Sequence, residues 1–280
     1  MLPLNFLPPG GSADYVLTGV WAEKAVEEAK IVGSARVVAS SEKDGFRSIP
    51  RVEPGNLDKN AAYVHLTSNE TIQGIQWKEF PDTSGIPLVA DMSSDILSQP
   101  FDASRFSLIY AGAQKNLGPS GVTAVVIKEA WLQTANKNVP TMLRYSTHVK
   151  NNSLYNTPPT FGVYVLNLVL SWIEKQGGLA GIGQRNAQKA GVLYQAIDES
   201  QGFYRGHADV GSRSHMNVTF RLGTEALEKK FATEALSAGM IGLPGHRLVG
   251  GLRASIYNAV PLEACTALAQ FMKEFARKNG

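Results

Sequence analysis

The chain has 280 residues, 44% of them hydrophobic and 18% charged, which is enough to bury the core of one large domain or two smaller ones. Its net charge of +3 is too small, and its basic residues are too scattered, to indicate binding to nucleic acid. The single cysteine, Cys265, excludes an intramolecular disulfide and favours a reducing compartment. The longest apolar run, FGVYVLNLVLSWI, is too short to span a bilayer, so we expect a buried helix there and a cytoplasmic protein.

The first half of the chain alternates short apolar runs with helix-length segments, which is the pattern of an α/β fold. A helix is predicted from Ala22 to Lys30, where alanines and a valine recur at helical spacing. The apolar runs that follow predict strands of a mostly parallel sheet, covered on both faces. In chain order these runs are ARVVAS, AYVHLTSNET, IPLVADMSS, FSLIYAGAQK and VTAVVIKE.

After a long predicted helix from Phe161 to Lys175, the pattern changes to that of a smaller α+β domain. We therefore expect a large domain over residues 1–175 and a small domain over residues 176–280. QKAGVLYQAIDES and TEALEKKFATEALSAG predict helices, the second ending at Gly239. HMNVTFRL alternates with period two and predicts a half-exposed strand, and LRASIYNAV predicts another strand. A final helix is predicted, with an apolar face formed by Leu262, Cys265, Leu268, Met272 and Phe275.

Polar residues follow three of the predicted strands: Thr71, then Asp91, then Gln114 and Lys115. Ligands of open α/β sheets bind outside the carboxyl ends of the strands, so these side chains are expected at one edge. An aspartate at such a place is often only a turn residue, and a lysine only a loop charge. Together, however, an acid and a lysine suit pyridoxal phosphate, which a lysine holds as a Schiff base while an acid faces the pyridinium nitrogen.

Two further segments carry candidate residues. GHRLVGGLRASIYNA contains His246, Arg247 and Arg253, which form either a solvated basic turn or a site for a substrate with more than one anionic group. In YNTPPT, Asn156 and Thr157 precede two prolines, as a helix-start loop or as a rigid loop that contacts phosphate. The glycines of GAQKNLGPSG lack the order of a P-loop, and no spacing of cysteines and histidines indicates a metal site.

The segments NETI, ADMSSDILS, AGAQKN, YNTPPTF and GHR, in this order along the chain, resemble the phosphoserine aminotransferases, a class-V family of fold-type-I pyridoxal-phosphate enzymes. The resemblance covers essentially the whole chain. It implies conversion of 3-phosphohydroxypyruvate and glutamate to O-phosphoserine and 2-oxoglutarate in serine biosynthesis, and often a side role in making the precursor of the cofactor. It also implies a homodimer with active sites at the subunit interface.

The resemblance also implies a role in cofactor binding for the residues at the strand ends. Lys115 would form the Schiff base, and Asp91 would face the pyridinium nitrogen. Trp21 would stack on the cofactor ring, as suits a large flat aromatic face. Thr71 would hydrogen-bond the phenolic oxygen of the cofactor, and Gln114 would help to hold its phosphate.

The other candidates would bind the substrate or the neighbouring cofactor. Arg253 would bind the α-carboxylate that both substrates share, while His246 and Arg247 would meet the substrate phosphate. Asn156 and Thr157 would reach the cofactor phosphate of the neighbouring subunit.

The chain departs from the family pattern at its start, MLPLNFLPPGG, which corresponds to an internal segment of the family. The preceding portion of the family supplies a glycine-rich turn and a helix N-terminus that hold the cofactor phosphate. We therefore expect weaker cofactor retention in this chain. Two alternatives stay open: a catalytically impaired remnant that folds and dimerises as a binding or structural protein, and an aminotransferase of the same broad group with a different acceptor.

Overall fold

The computed structural model describes residues 1–247 and 249–280. The strands are β1 (Ser12–Leu17), β2 (Ser34–Ser40), β3 (Val64–Thr67), β4 (Asn69–Glu70), β5 (Ile75–Gln76), β6 (Leu88–Asp91), β7 (Leu108–Gly112), β8 (Thr123–Ile127), β9 (Arg205–Gly206), β10 (Asn217–Arg221) and β11 (Leu252–Ser255). The α-helices are α1 (Leu2–Phe6), α2 (Val20–Val32), α3 (Glu129–Leu132), α4 (Tyr145–Lys150), α5 (Thr160–Lys175), α6 (Gly178–Asp198), α7 (Glu225–Ser237) and α8 (Leu262–Asn279).

The largest sheet has six strands in the order β2-β1-β3-β6-β7-β8. This sheet and the helices around it confirm the predicted α/β fold class. Its strands are parallel except for β8, which runs antiparallel to β7. Thr67 pairs with Asp91, and Asp91 pairs with Tyr110, so β3, β6 and β7 end in one row. The polar residues that follow these strands therefore start from the same edge of the sheet.

Hydrophobic clusters cover both faces of the central strands. Along β6, Leu88 and Ala90 belong to one cluster and Val89 to the other, as expected from the alternation of side chains across a sheet. The same alternation occurs on β7, where Leu108 and Ile109 face opposite clusters. This double coverage explains why the central strands read as continuous apolar runs.

The outer strands differ from the sequence prediction. The apolar pattern does not predict β1, because the strand contains the buried Asp14. The carboxylate of Asp14 accepts a hydrogen bond from the backbone N–H of Asp58 at 2.8 Å and lies 3.6 Å from Nη1 of Arg36. The predicted burial of β2 and β8 is wrong, because both are edge strands whose side chains are largely exposed.

The C-terminal part contains an antiparallel sheet in the order β11-β10-β9 with its own hydrophobic cluster. Helix α8 buries Cys265, Leu268, Met272 and Phe275 in this cluster, which confirms the predicted face except at Leu262, which is only partly buried at the start of the helix. Gly239 follows α7 with a φ of +83°, a conformation that glycine adopts without strain, so the predicted end of that helix is also confirmed.

Strand β10 is covered on both faces, so the prediction of a half-exposed strand is wrong. Phe220 packs into the C-terminal hydrophobic cluster. On the other face, Oδ1 of Asn217 accepts a hydrogen bond from Nδ2 of Asn69 at 2.9 Å, and the hydroxyl of Thr219 donates to the carbonyl of Gln73 at 2.9 Å. The polar side chains of β10 therefore face the part of the chain that contains the six-stranded sheet, and not solvent.

Helix α5 is not the buried helix that its apolar sequence predicts. It buries only Gly162 and Ile173. Phe161 is 73% exposed, Tyr164 59% and Leu168 47%, so α5 presents an apolar face to its surroundings. None of the described helices combines the length and the apolar composition needed to cross a membrane.

Candidate active site

Lys115 lies in the loop that follows β7, three residues after Gly112, and its Nζ is 5.0 Å from the centroid of the Trp21 ring. Burial lowers the pKa of the Lys115 amine; the carboxylate of Asp91 opposes this shift, and the guanidinium of Arg253 adds to it. An amine with a lowered pKa is more often unprotonated, which is the form that attacks a carbonyl carbon. The lysine that the sequence singled out therefore has the environment of a nucleophile.

Asp91 ends β6, and its neighbours fix its carboxylate. Oδ1 accepts hydrogen bonds from the backbone N–H of Ser93 at 2.9 Å and from its hydroxyl at 2.6 Å. Burial, together with the negative charge of Asp91, raises the pKa of the Tyr110 hydroxyl well above its ordinary value. Nε2 of His65 lies 3.0 Å from the same hydroxyl. The Asp91 carboxylate thus has a fixed orientation, and it lies at the sheet edge from which the loop containing Lys115 starts.

Trp21 occupies the first turn of α2, and Glu70 holds that turn in place. The Glu70 carboxylate accepts hydrogen bonds from the backbone N–H of Trp21 at 3.1 Å and of Ala22 at 2.9 Å, so it caps α2 from a distant strand. The indole N–H of Trp21 donates to the hydroxyl of Thr71 at 2.9 Å. Sequence reasoning missed Glu70, although it directly precedes Thr71 in the NETI motif.

Arg253 extends from β11 towards the same place. Its Nη1 donates a hydrogen bond to the backbone carbonyl of Thr71 at 3.2 Å. Its Nε is buried and has no hydrogen-bond partner among the described residues. Since buried polar groups are normally hydrogen-bonded, this N–H is available to an anionic ligand such as a carboxylate.

His246 and Arg247 lie in the loop that precedes β11, and with neighbouring residues they line a surface cavity of about 610 Å³. Arg247 is exposed. Burial lowers the pKa of His246, and the charges of Arg253 and Arg247 act in the same direction. A Cβ atom on Gly245 would lie 2.0 Å from a backbone carbonyl oxygen, so this loop requires glycine there.

The remaining predicted residues are exposed. Gln114 directly precedes Lys115. Asn156 and Thr157 lie in an exposed loop before α5. Asn156 lines a cavity of about 840 Å³ together with Trp21 and Asp91. No hydrogen bond joins Asn156 or Thr157 to those two side chains within residues 1–247 and 249–280. Their role in a neighbouring subunit stays a prediction.

The residues brought together fit pyridoxal phosphate. They supply an amine with a lowered pKa for its carbonyl carbon, a flat aromatic side chain for its ring and a fixed carboxylate for its nitrogen. They also supply a buried guanidinium N–H without a partner for the anionic substrate. In the part of the chain that the structure describes, no group of three or more His, Cys, Asp or Glu side chains could hold a metal ion.

A mostly parallel sheet with a lysine and an acid at its carboxyl edge defines a fold-type-I pyridoxal-phosphate-dependent enzyme. The chain belongs to the class-V aminotransferase family, whose sequence profile matches residues 1–268. It is 62% identical over 280 residues to the phosphoserine aminotransferase of Herpetosiphon aurantiacus, a match that covers 100% of this chain and 78% of that protein. The phosphoserine aminotransferase of Bacillus subtilis is 59% identical over 279 residues, which cover 100% of this chain and 77% of that protein.

Solved structures agree with these sequence matches. The phosphoserine aminotransferase from Bacillus circulans subsp. alkalophilus superposes with a TM-score of 0.96 at 59% identity, over 100% of this chain and 77% of that chain. A pyridoxal-phosphate-bound phosphoserine aminotransferase from Trichomonas vaginalis superposes with a TM-score of 0.89 at 36% identity, over 97% and 78% of the two chains. The family resemblance that the sequence motifs suggested is therefore confirmed.

Proposed function

We propose that this chain transfers the amino group of glutamate to 3-phosphohydroxypyruvate, giving O-phosphoserine and 2-oxoglutarate in serine biosynthesis. The observation that supports this most directly is the placement of the Lys115 amine against the Trp21 ring in a chain 62% identical to a phosphoserine aminotransferase. The same site would serve a related substrate in the synthesis of the cofactor precursor.

In this proposal the residues around Lys115 bind and orient the cofactor. Pyridoxal phosphate, when bound, supplies a ring that withdraws electrons from the α-carbon of the substrate. Lys115 would hold its carbonyl carbon through Nζ as a Schiff base, and the lysine amine, once the amino group of the substrate displaces it, would move the proton of the substrate α-carbon. The Asp91 carboxylate, held by Ser93, would favour a protonated ring nitrogen. Trp21 would cover one face of the ring and exclude water from it.

The substrate is bound from the C-terminal part of the chain. The guanidinium of Arg253, whose Nη1 donates to Thr71, binds through its unpartnered Nε–H the α-carboxylate that glutamate and the phosphorylated acid share. Arg247 supplies the positive charge for the substrate phosphate, because the lowered pKa of His246 leaves that imidazole mostly neutral near pH 7. His246 then acts as a hydrogen-bonding group beside it.

We further propose a homodimer in which α5 lies at the interface. The exposed apolar side chains of Phe161, Tyr164 and Leu168 support this, since contiguous apolar surface of this kind marks interaction sites. Asn156, just before α5, would then approach the cofactor phosphate of the partner. Sedimentation of the wild-type chain should show a dimer, and Phe161→Glu should shift it towards the monomer. A monomeric wild-type chain would refute this arrangement.

The domain division at residues 175–176 is also a proposal. The buried residues of the C-terminal cluster all lie between Ala190 and Phe275, and those of the two sheet clusters all lie between Leu2 and Tyr145. Limited proteolysis should therefore cut first near Gly177, which has a φ of +88°.

The single buried thiol, Cys265, supports a cytoplasmic location, which fractionation of cells would test.

A second candidate function is a catalytically impaired protein that folds, dimerises and serves as a binding or structural partner. The observation that favours it is the open cavity of about 840 Å³ next to Asp91 and Trp21, which leaves one side of the candidate site uncovered. This protein would bind pyridoxal phosphate weakly and turn over slowly.

Titration with pyridoxal phosphate decides between the two candidates. The transaminase should develop a visible absorbance that borohydride bleaches, and it should convert 3-phosphohydroxypyruvate in the presence of glutamate. Lys115→Ala should abolish the absorbance and lower turnover by at least about 10²- to 10⁴-fold. Lys278→Ala, at the end of α8, is the matched control and should change neither. A wild-type chain that binds no pyridoxal phosphate would overturn the proposal.

A further inference from the structure

Three buried asparagines bind successive backbone carbonyls behind the candidate site. The amide nitrogen of Asn116 donates to the carbonyl of residue 96 at 2.6 Å, that of Asn258 to residue 97 at 2.9 Å, and that of Asn186 to residue 98 at 2.9 Å. All three side chains are at most 5% exposed. We refer to Asn116, Asn186 and Asn258 as the asparagine cluster.

The members of the asparagine cluster also bind one another. The backbone N–H of Asn258 donates to Oδ1 of Asn116 at 3.0 Å, and Nδ2 of Asn186 donates to Oδ1 of Asn258 at 2.8 Å. Each amide nitrogen therefore faces an acceptor, which fixes the orientation of the three amides. The accepting segment includes Leu97, whose φ of +59° is unfavourable for leucine and requires support from its surroundings.

A buried lysine extends this network along α6. Lys189, one turn after Asn186, is fully buried. Its Nζ donates to the carbonyls of Ile256 at 2.9 Å and Tyr257 at 2.8 Å, immediately before Asn258. The chain that leaves β11 is thus held at three consecutive residues.

The asparagine cluster joins the three segments that carry the reactive groups. Asn116 directly follows Lys115, and Asn258 lies five residues after Arg253. The accepting carbonyls belong to the turn that follows β6 and its last residue, Asp91. Displacement of any one segment would change the distances between the amine, the acid and the guanidinium.

We propose that the asparagine cluster is a positioning device that sets the place of Lys115 relative to Arg253, and so of the amine relative to the substrate carboxylate. The cluster itself touches neither cofactor nor substrate. The inference rests on the proposed function, in which Arg253 holds the carboxylate while Lys115 moves a proton at the adjacent carbon. Misplacement of about 1 Å in such an arrangement costs on the order of 10² in rate.

The sharpest test is Asn258→Asp, which keeps the shape but sets a carboxylate oxygen against the carbonyl of Leu97 in place of the amide nitrogen. Asn258→Ala removes the group and serves if the first variant does not fold. The matched control is Asn279→Asp, at the end of α8, where the amide likewise donates to one backbone carbonyl, that of Phe275, at 2.8 Å. In cofactor-loaded protein we expect both Asn258 variants to lower kcat about 10- to 100-fold and to raise KM for both substrates. The control should keep wild-type values.

A second readout needs neither cofactor nor turnover. In cofactor-free protein, the pH dependence of acetylation at Lys115, followed by mass spectrometry of its peptide, reports the acidity of its amine. The Asn258 variants should shift this profile towards that of an ordinary lysine, because Lys115 moves away from Arg253 and into solvent; Asn279→Asp should not. A shifted profile with the kinetic loss supports the proposal.

Other outcomes contradict the positioning role. Variants that lose thermal stability but keep the wild-type acetylation profile and KM values would show that the asparagine cluster only stabilises the fold, which overturns the inference. Absence of cofactor binding in the wild type would refute the proposed function instead, and the acetylation profiles would still decide the role of the asparagine cluster.

Discussion

The two sides of the candidate site are built differently. On the cofactor side, Asp91, Glu70 and Thr71 hydrogen-bond to neighbouring side chains or backbone before any ligand is present. On the side proposed for the substrate phosphate, Arg247 projects from a glycine-containing loop and is exposed, and His246 lies beside it. One side is thus fixed by the fold, and the other is shaped mainly by a short loop.

The difference suits the two proposed tasks. A cofactor that stays bound through many turnovers gains from groups that are fixed in advance, since no reorganisation accompanies each reaction. A substrate that enters and leaves requires an open path, and a surface loop provides one. Arg253 stands between the two sides, because it lies on a strand of the C-terminal part but donates to Thr71.

The largest effect is expected from Glu70→Ala, which tests whether the cofactor side is fixed by the fold. Removal of the carboxylate leaves the N–H groups of Trp21 and Ala22 unsatisfied in a buried place, at a cost of about 1–3 kcal/mol each in the free energy of unfolding. Urea denaturation, followed by the fluorescence of the four tryptophans, measures the loss. Glu27→Ala, on the exposed face of α2, is the control. Equal stability of the two variants would contradict the rigid-side interpretation.

The same carboxylate predicts a pH dependence. Burial raises the pKa of Glu70 to about 7, with the N–H groups of Ala22 and Trp21 opposing the shift. Between about pH 4.5 and 7 the folded chain therefore holds a proton that the unfolded chain has lost, so stability falls as pH rises. The decrease from this group is at most about 3 kcal/mol. Relative to the wild type, Glu70→Gln should remove this decrease from the urea-derived stability. Asp95, whose pKa burial raises to about 6, still lowers the stability as pH rises, whereas His65 and His215, whose pKa values burial lowers to about 3 and about 4, raise it. An unchanged slope would show that Glu70 does not titrate there.

Arg253→Ala tests the residue that joins the two sides. Loss of charge-assisted hydrogen bonds costs about 1.5–3 kcal/mol, so KM should rise about 10- to 150-fold for glutamate and for the phosphorylated acid alike. Steady-state kinetics with each substrate varied in turn measures this. Arg205→Ala, an exposed arginine on β9, is the control. A rise confined to one substrate would show that Arg253 does not bind the shared carboxylate.

The smallest effect is expected from Arg247→Ala on the open side. A solvent-exposed charge contributes about 0.2–1 kcal/mol, which corresponds to a rise in KM of at most about fivefold for the phosphorylated acid and none for glutamate. A rise of 100-fold would mean that the loop closes on the substrate and excludes water. No change for any phosphorylated substrate would favour an aminotransferase with a different acceptor.

The reactive edge of the sheet could be predicted from the sequence, because parallel strands end together and their polar successors follow in the chain. Lys115, Asp91 and Thr71 were found in this way. Glu70 was not, because its function depends on the backbone of α2, which lies far away in the chain and carries no side-chain signal. Arg253 was found as a basic residue, but its contact with Thr71 joins segments 182 residues apart.

The errors in the fold have physical causes too. Strand β1 was not predicted because it contains the charged Asp14, whose burial depends on partners from outside the strand. The alternation of β10 is real, but its polar face meets Asn69 and Gln73 of the other part of the chain. Periodicity describes the faces of an element and cannot say what covers each of them.

Labelling of the buried Cys265 can report local unfolding of the C-terminal part of the chain. This residue is the only thiol, and it lies in the hydrophobic cluster of the C-terminal part, away from the six-stranded sheet. A thiol reagent therefore reacts only when α8 separates from its neighbours. When reclosing is faster than labelling, the reaction rate gives the free energy of that opening. The stability of the part proposed to bind the substrate can thus be measured in the intact chain, without an introduced label.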